Sequence, residues 1–220
     1  MFHFQLSIIN YQLKKMPFTS SIIDIINTEI QTYSLCGSTF AAGAFYGIAY
    51  DGTDVDSSAT RVYPVVLSTD LSGNGTKVNP DDTYPIQIYH KILNKSYQAK
   101  PSSVGSRSNV VSEKIDVKMV VAGWTNQLGV TQEDLEALIT SNFPDQIDAS
   151  LYTPLRLQNL VITLQSSVLD KAQVYAQEYK GIPYQVKPEQ ILFSIRYQIE
   201  STFKKGCFII NDCQPAGVLT

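Results

Sequence analysis

Apolar positions along this chain recur at two periods, and the period changes from segment to segment. The plainest example is "EQILFSIRYQIEST" near the C-terminal end, where Ile191, Phe193, Ile195, Tyr197 and Ile199 alternate with Leu192, Ser194, Arg196, Gln198 and Glu200. A period of two predicts a strand with the first set facing in and the second facing out. "KIDVKMVVAGW" repeats it, with Ile115, Val117, Met119 and Val121 on one side. In "YPIQIYHKIL", Ile86, Ile88 and His90 point one way and Gln87, Tyr89 and Lys91 the other. "AGAFYGIAY" (42–50) and "TRVYPVVLS" (60–68) are aromatic and β-branched, which also predicts strands. Pro64 lacks a ladder donor, so the second of these is expected at an edge or with a bulge.

Two stretches follow the helical period instead. In "TSSIIDIINTEIQTYSLC", Ile22, Ile26, Ile30 and Tyr33 share a face that Ile23 and Ile25 widen. Ser20 or Ser21 is the expected cap and Gly37 the expected stop. In "TQEDLEALITSNF", Leu135, Leu138 and Ile139 form the stripe. Thr131 caps it with Asp134 three residues on, and Pro144 lies just past the end. "RLQNLVITLQSS" and "AQVYAQEYKG" read as two strands joined near Asp170, although the second has propensities that also allow a helix. "GCFIIND" is expected to add a short closing strand.

Between these elements lie three polar segments: "DGTDVDSSA" (51–59), "TDLSGNGTKVNPDD" (69–82) and Lys95 to Lys114. All three read as loops, the last as a long one that either orders against another subunit or is a plain surface loop. The expected fold is therefore α+β: a mostly antiparallel β-sheet with two main helices and long loops. It forms a single domain over 17–220, preceded by an N-terminal arm of residues 1–16.

Composition narrows the classes. The chain has 220 residues, of which 44% are hydrophobic and 17% charged, a balance that supports a packed core. The net charge of −3 supplies no overall basic field for gathering nucleic acid. Three cysteines (Cys36, Cys207 and Cys213) and two histidines (His3 and His90) are too scattered for a structural zinc site. Free thiols are the expectation, with a Cys207–Cys213 bridge as the alternative. The first residues, "MFHFQLSIINYQLKKM", place the apolar part before Lys14 and Lys15, the reverse of a secretory leader. No run reaches the roughly 20 apolar residues of a membrane helix, so no membrane partner is expected.

The strongest chemical pattern is the second polar segment. Counted from Asp70, the residues Asp70, Ser72, Asn74, Thr76 and Asp81 fall at calcium-loop positions one, three, five, seven and twelve, with Gly75 at six. The pattern is incomplete: position twelve is Asp where the longer Glu reaches the ion in bidentate fashion, and the flanks are strands. An ordinary hairpin loop is preferred and calcium is kept as the alternative. Asp51, Asp54 and Asp56 would add ligands if the two loops converged. No other cofactor is expected. His90 is the one general base of its type in the body of the chain, but it lies in a strand and reads as structural. There is no G-x-S-x-G elbow and no Walker loop. A non-enzymatic role is expected.

The order of parts resembles that of small α+β proteins of tailed bacteriophages that form rings at the head–tail junction or along the tail, the tail terminators and tail-completion proteins. The resemblance is carried by the sequence of "TSSIIDIINTEI", "YPIQIYHKIL", "KIDVKMVVAGW", "QEDLEALI" and "ILFSIRYQIESTF", and spans about Pro17 to Cys213. It implies a virion structural protein, made in the host cytoplasm, that forms a ring homo-oligomer. The partners it implies are neighbouring connector or tail proteins, with DNA passing nearby without sequence-specific binding. The alternatives are a calcium-assisted binding module of adhesin or carbohydrate-binding type, and a small hydrolase built around His90.

Overall fold

The computed structural model describes residues 17–35, 38–56, 59–67, 75–80, 83–99, 110–144, 157–183 and 186–204. Helix α1 (Pro17–Gln31) is followed by a two-residue ladder, β1 (Ser34–Leu35) with β2 (Ser38–Thr39). The main sheet holds β3 (Ala44–Asp56), β4 (Ala59–Leu67), β5 (Gly75–Lys77), β6 (Ile86–Ala99), β7 (Val110–Trp124), β8 (Leu157–Val168) and β9 (Gln190–Lys204). Between β7 and β8 come α2 (Thr125–Leu128) and α3 (Gln132–Ser141), and between β8 and β9 comes α4 (Lys171–Glu178). The seven strands lie in the order β5-β4-β3-β6-β7-β9-β8. All neighbours are antiparallel except β3 and β6, which run parallel. The α+β class expected from the alternating patterns is the one found.

Both faces of the sheet are covered, by different layers. On the first face, Ile22, Ile26 and Ile30 of α1 and Leu135 and Ile139 of α3 pack over the inward rows of β6, β7 and β9. The capping box expected at Thr131 and Asp134 is present: the Thr131 hydroxyl accepts from the Asp134 amide, and the Asp134 carboxylate reaches back to the Thr131 amide. The Tyr33 hydroxyl donates to the Asn142 carbonyl, tying the end of α1 to the end of α3. On the second face, Val174 and Tyr175 of α4, with Tyr179, pack on Tyr63, Tyr89, Val120, Ala122 and Leu192.

Several expectations are corrected. Helix α1 begins at Pro17, so Ser20 and Ser21 lie inside it rather than capping it; proline suits the first helical turn, where its missing N–H costs nothing. Within the segment 51–59, residues 51–56 and 59 are strand, not loop. β3 runs on to Asp56 and β4 starts at Ala59, so the polar residues belong to a long hairpin, with Val55 76% exposed near its tip. Lys95 and Lys114 are strand residues of β6 and β7, which confines the predicted loop to 100–109, outside the described residues. "AQVYAQEYKG" is the helix α4, capped by Asp170, whose carboxylate accepts from the Ala172 and Gln173 amides. Leu192 and Ser194 are buried, because α4 lies over the face that the alternation assigned to water. Pro64 sits beside the last residue paired to β5, in a strand one place in from the sheet edge. The arm 1–16, Cys36, Cys207, Cys213 and "GCFIIND" lie outside the described residues.

After α4 the chain crosses the second face toward β4. The Val62 amide donates to the Lys180 carbonyl at 2.8 Å. Gly181 makes this passage possible: its φ is +74°, and a Cβ there would lie 2.5 Å from the Thr60 carbonyl oxygen. The Tyr179 hydroxyl then donates to the Val78 carbonyl at 3.0 Å.

Candidate functional site

The second face carries the densest chemistry among the described residues. In the ladder register Lys91 of β6 stands opposite Lys118 of β7, and Lys118 stands opposite Arg196 of β9. Three cations thus form a row across three adjacent strands. Like charges placed directly opposite one another repel, so the row needs compensation. Glu178, the last residue of α4, supplies it. Its carboxylate is fully buried; one oxygen takes the Lys118 ammonium, and the other takes Lys91 at 2.7 Å and the Tyr89 hydroxyl at 3.2 Å. Lys91 makes a second ion pair, at 2.5 Å, to the exposed Asp51 of β3. Burial acts to lower the Lys91 pKa, but the Glu178 charge and the bonds to Asp51 and Glu178 outweigh it and the net shift is upward. Burial, reinforced by Tyr179 and Glu178, pushes the Tyr89 phenol well up, so it stays a protonated donor. Arg196, at the exposed end of the row, forms no ion pair with a described residue.

The first face holds a separate network around His90. The ring is fully buried between α1 and β9. Asn27 donates through Nδ2 to the Tyr46 carbonyl at 2.9 Å, which leaves its Oδ1 as acceptor for His90 Nε2 at 2.8 Å. The Tyr197 hydroxyl then donates to Nδ1 at 2.9 Å. The partners therefore assign the neutral tautomer with its proton on Nε2. Burial holds the imidazole at about 3, far below its usual value. Both ring nitrogens are engaged, and the group ties α1 to the sheet. The structural reading of His90 agrees with this geometry.

The calcium pattern is only partly within view. Asp70, Ser72, Asn74 and Asp81 lie outside the described residues; Thr76 is an exposed residue of β5, paired with Val66. Asp54 is engaged elsewhere: it accepts from Tyr63 at 2.7 Å and from Lys77, and the Lys77 bond, then the Tyr63 bond, lowers its pKa. Asp51 is held by Lys91. Among the described residues no three His, Cys, Asp or Glu side chains gather as a metal set. No described helix is long and apolar enough to cross a membrane.

Past the reach of α4, the second face carries exposed and half-buried polar residues, until Ser112 and Thr202 are buried again. Asn94, Ser96 and Gln98 of β6 stand beside Asp116 and Lys114 of β7, which stand beside Gln198 and Glu200 of β9. Gln198 donates to Asp116 at 2.7 Å and Lys114 pairs with Glu200 at 3.1 Å. No protein-family model matches the chain, and no curated protein matches it.

Sequence reasoning passed over Lys118 and Glu178. The available signal was a lysine inside an apolar strand, in "DVKMVV" as in "YHKIL". A lysine flanked in this way, on a strand buried on both faces, needs a carboxylate from the covering layer.

Proposed function

We propose that the protein is a non-enzymatic structural component of a tailed-phage particle, a ring or connector subunit acting in assembly around the DNA path. The observation that carries this reading is the sheet itself. Strands of 13, 14, 15 and 15 residues run about 43–50 Å at ~3.3 Å per residue, against about 22 Å for the 15-residue α1. The sheet outruns its helical cover, and there the second face carries paired polar side chains suited to packing on neighbours. The charged groups of the second face serve to hold α4 in place. A ring built from such a body closes by a repeated heterologous contact, each copy presenting two different surfaces. Asp51 and Asp54 are neutralised by lysines, so in this reading an acidic lining for the DNA path draws on other residues.

Light scattering on the purified chain, with and without calcium, followed by negative-stain imaging, tests this. Ring-sized particles that form regardless of calcium are the expected result. A strict monomer that melts higher only with calcium overturns it in favour of a binding module.

A further inference from the structure

The two sides of the sheet carry opposite unpaired charge. Helices α1, α2 and α3, on the first side, contain no lysine or arginine. Asp24, Glu29 and Glu133 are exposed there and Glu136 is half-buried, and none of them forms an ion pair with a described residue. Glu133 sits in the first turn of α3, where the helix dipole favours a carboxylate. The other carboxylates have no such support. Glu29 lies in the last turn of α1, where the dipole opposes it, and the Asp24 carboxylate is partly desolvated with no cation beside it, which raises its pKa. On the second side the carboxylates are in use: Glu178 and Asp51 by lysines, Glu200 by Lys114, Asp116 by Gln198 and Asp170 by the amides that open α4. Lys187 and Glu189, two residues apart and both exposed, offset each other. Arg61, Lys180 and Arg196 remain, all exposed and without an ion pair to a described residue. Arg61 shares the face of Tyr63 and stands opposite Asp54, which Lys77 already holds. Lys180 follows α4, and Arg196 ends the row that Lys91 and Lys118 begin.

We propose that the acidic helix layer of one copy docks on the cationic second side of the next, so that the chains assemble head to tail. The occupant is a second copy because each side supplies what the other lacks. Glu29 and Asp24 gain cations that their own chain does not offer, and Arg61, Lys180 and Arg196 gain carboxylates. Two acidic layers repel each other, as do two cationic sides, so the same surfaces do not pair with their own kind. Charges of this sort set the register and speed of an association more than its affinity. Because the two surfaces lie on opposite sides of one sheet, the contact is heterologous. It does not close at two copies about a two-fold axis; it closes as a ring or runs on as a filament. The inference rests on the ring reading and supplies the contact by which such a ring closes.

Sedimentation of the full chain in about 0.1 M and about 1 M salt tests it, because the screening length falls between them from about 10 Å to about 3 Å. Two charge-reversed chains complete the test, Glu29→Lys with Glu136→Lys and Lys180→Glu with Arg196→Glu, each checked for its fold by circular dichroism. The unmodified chain should associate at low salt, with a dissociation constant at least about tenfold higher at high salt. Each reversed chain alone should associate at least about tenfold more weakly. An equimolar mixture of the two should recover the assembly, since one carries cations on both sides and the other carboxylates on both. A monomer at every concentration in low salt overturns the proposal. So does a mixture no better than its components, or an assembly whose mass is indifferent to salt and to both reversals. If that indifferent assembly is a ring, the docking falls while the ring reading stands. Open filaments that salt dissolves and the mixture rebuilds uphold the docking and remove the ring reading.

Discussion

Lys91 and Lys118 face each other across the β6–β7 ladder, and the buried carboxylate of Glu178 bridges them. The contact fixes more than a charge balance. Glu178 ends α4, where the helix dipole disfavours a negative charge, so its position there depends on the two ammonium groups beneath it. It joins an element of the covering layer to two strands of the sheet.

Replacing Glu178 with Gln should therefore be severe. The variant keeps the shape and some hydrogen bonding but leaves Lys118, 9% exposed at its side chain, beside Lys91 with no bridging anion. Breaking a buried pair from one side costs about 3–5 kcal/mol, and chemical denaturation should show a loss in that range. Adding Lys118→Met removes the stranded charge, and the double variant should recover much of the loss. Equal losses in the single and double variants would mean that the ion pair is not what the single change breaks.

The His90 network predicts a direction with pH. Its folded pKa, about 3, lies below the unfolded value near 6.5. Between those values the unfolded chain binds a proton that the native chain refuses, so stability is full above about 6.5 and falls as pH drops. The slope should approach about 1.4 kcal/mol per pH unit below the unfolded value. Unfolding free energies measured from about pH 7 to 5, above most carboxylate titration, should show this fall. His90→Gln, though less stable at neutral pH, should show a flatter profile over the same window. Parallel profiles for the two proteins would assign the pH dependence to other groups.

Much of the fold was legible because each strand repeats its pattern over many residues. Ile191 to Ile199 announced an inward row, and the core of the first face follows it. The second face was obscure for two physical reasons. Leu192 and Ser194 share parity with Arg196, Gln198 and Glu200, so a strand half covered by α4 and half open reads as uniformly outward. The register of β6 slips between Ile92 and Asn94, which moves Lys95 to the helix-covered side, where it pairs with the buried Glu113. A local reading of alternation carries no trace of that slip. The charge cluster was hidden by distance along the chain, since Lys118 and Glu178 are 60 residues apart and meet only through the topology.

Gly181 offers a test of how the strap after α4 is held. Alanine there suffers a positive φ and a Cβ within 2.5 Å of the Thr60 carbonyl oxygen. Relief requires the strap to lift from β4, weakening the bond from Val62 to Lys180. A loss of about 2–3 kcal/mol is expected, with faster amide exchange at Val62. A neutral Gly181→Ala, with Val62 still protected, would show that the strap does not need this close approach.

Calcium supplies the last prediction. Roughly six to eight oxygens, several of them carboxylates, are needed to hold the ion. Asp51 and Asp54, which the sequence offered as helpers for the 70–81 segment, are committed to Lys91 and to Lys77 with Tyr63. To serve calcium they would have to abandon those pairs, and Lys91 would keep only Glu178. The ion would thus deprive the cluster that anchors α4 of part of its compensation. Melting in millimolar calcium and in chelator should give the same midpoint. A calcium-specific rise would instead point to ligands drawn wholly from the 70–81 segment if Asp51→Asn and Asp54→Asn left the rise intact. A rise abolished by those two changes would show that the salt bridges of the β3–β4 hairpin yield to the metal.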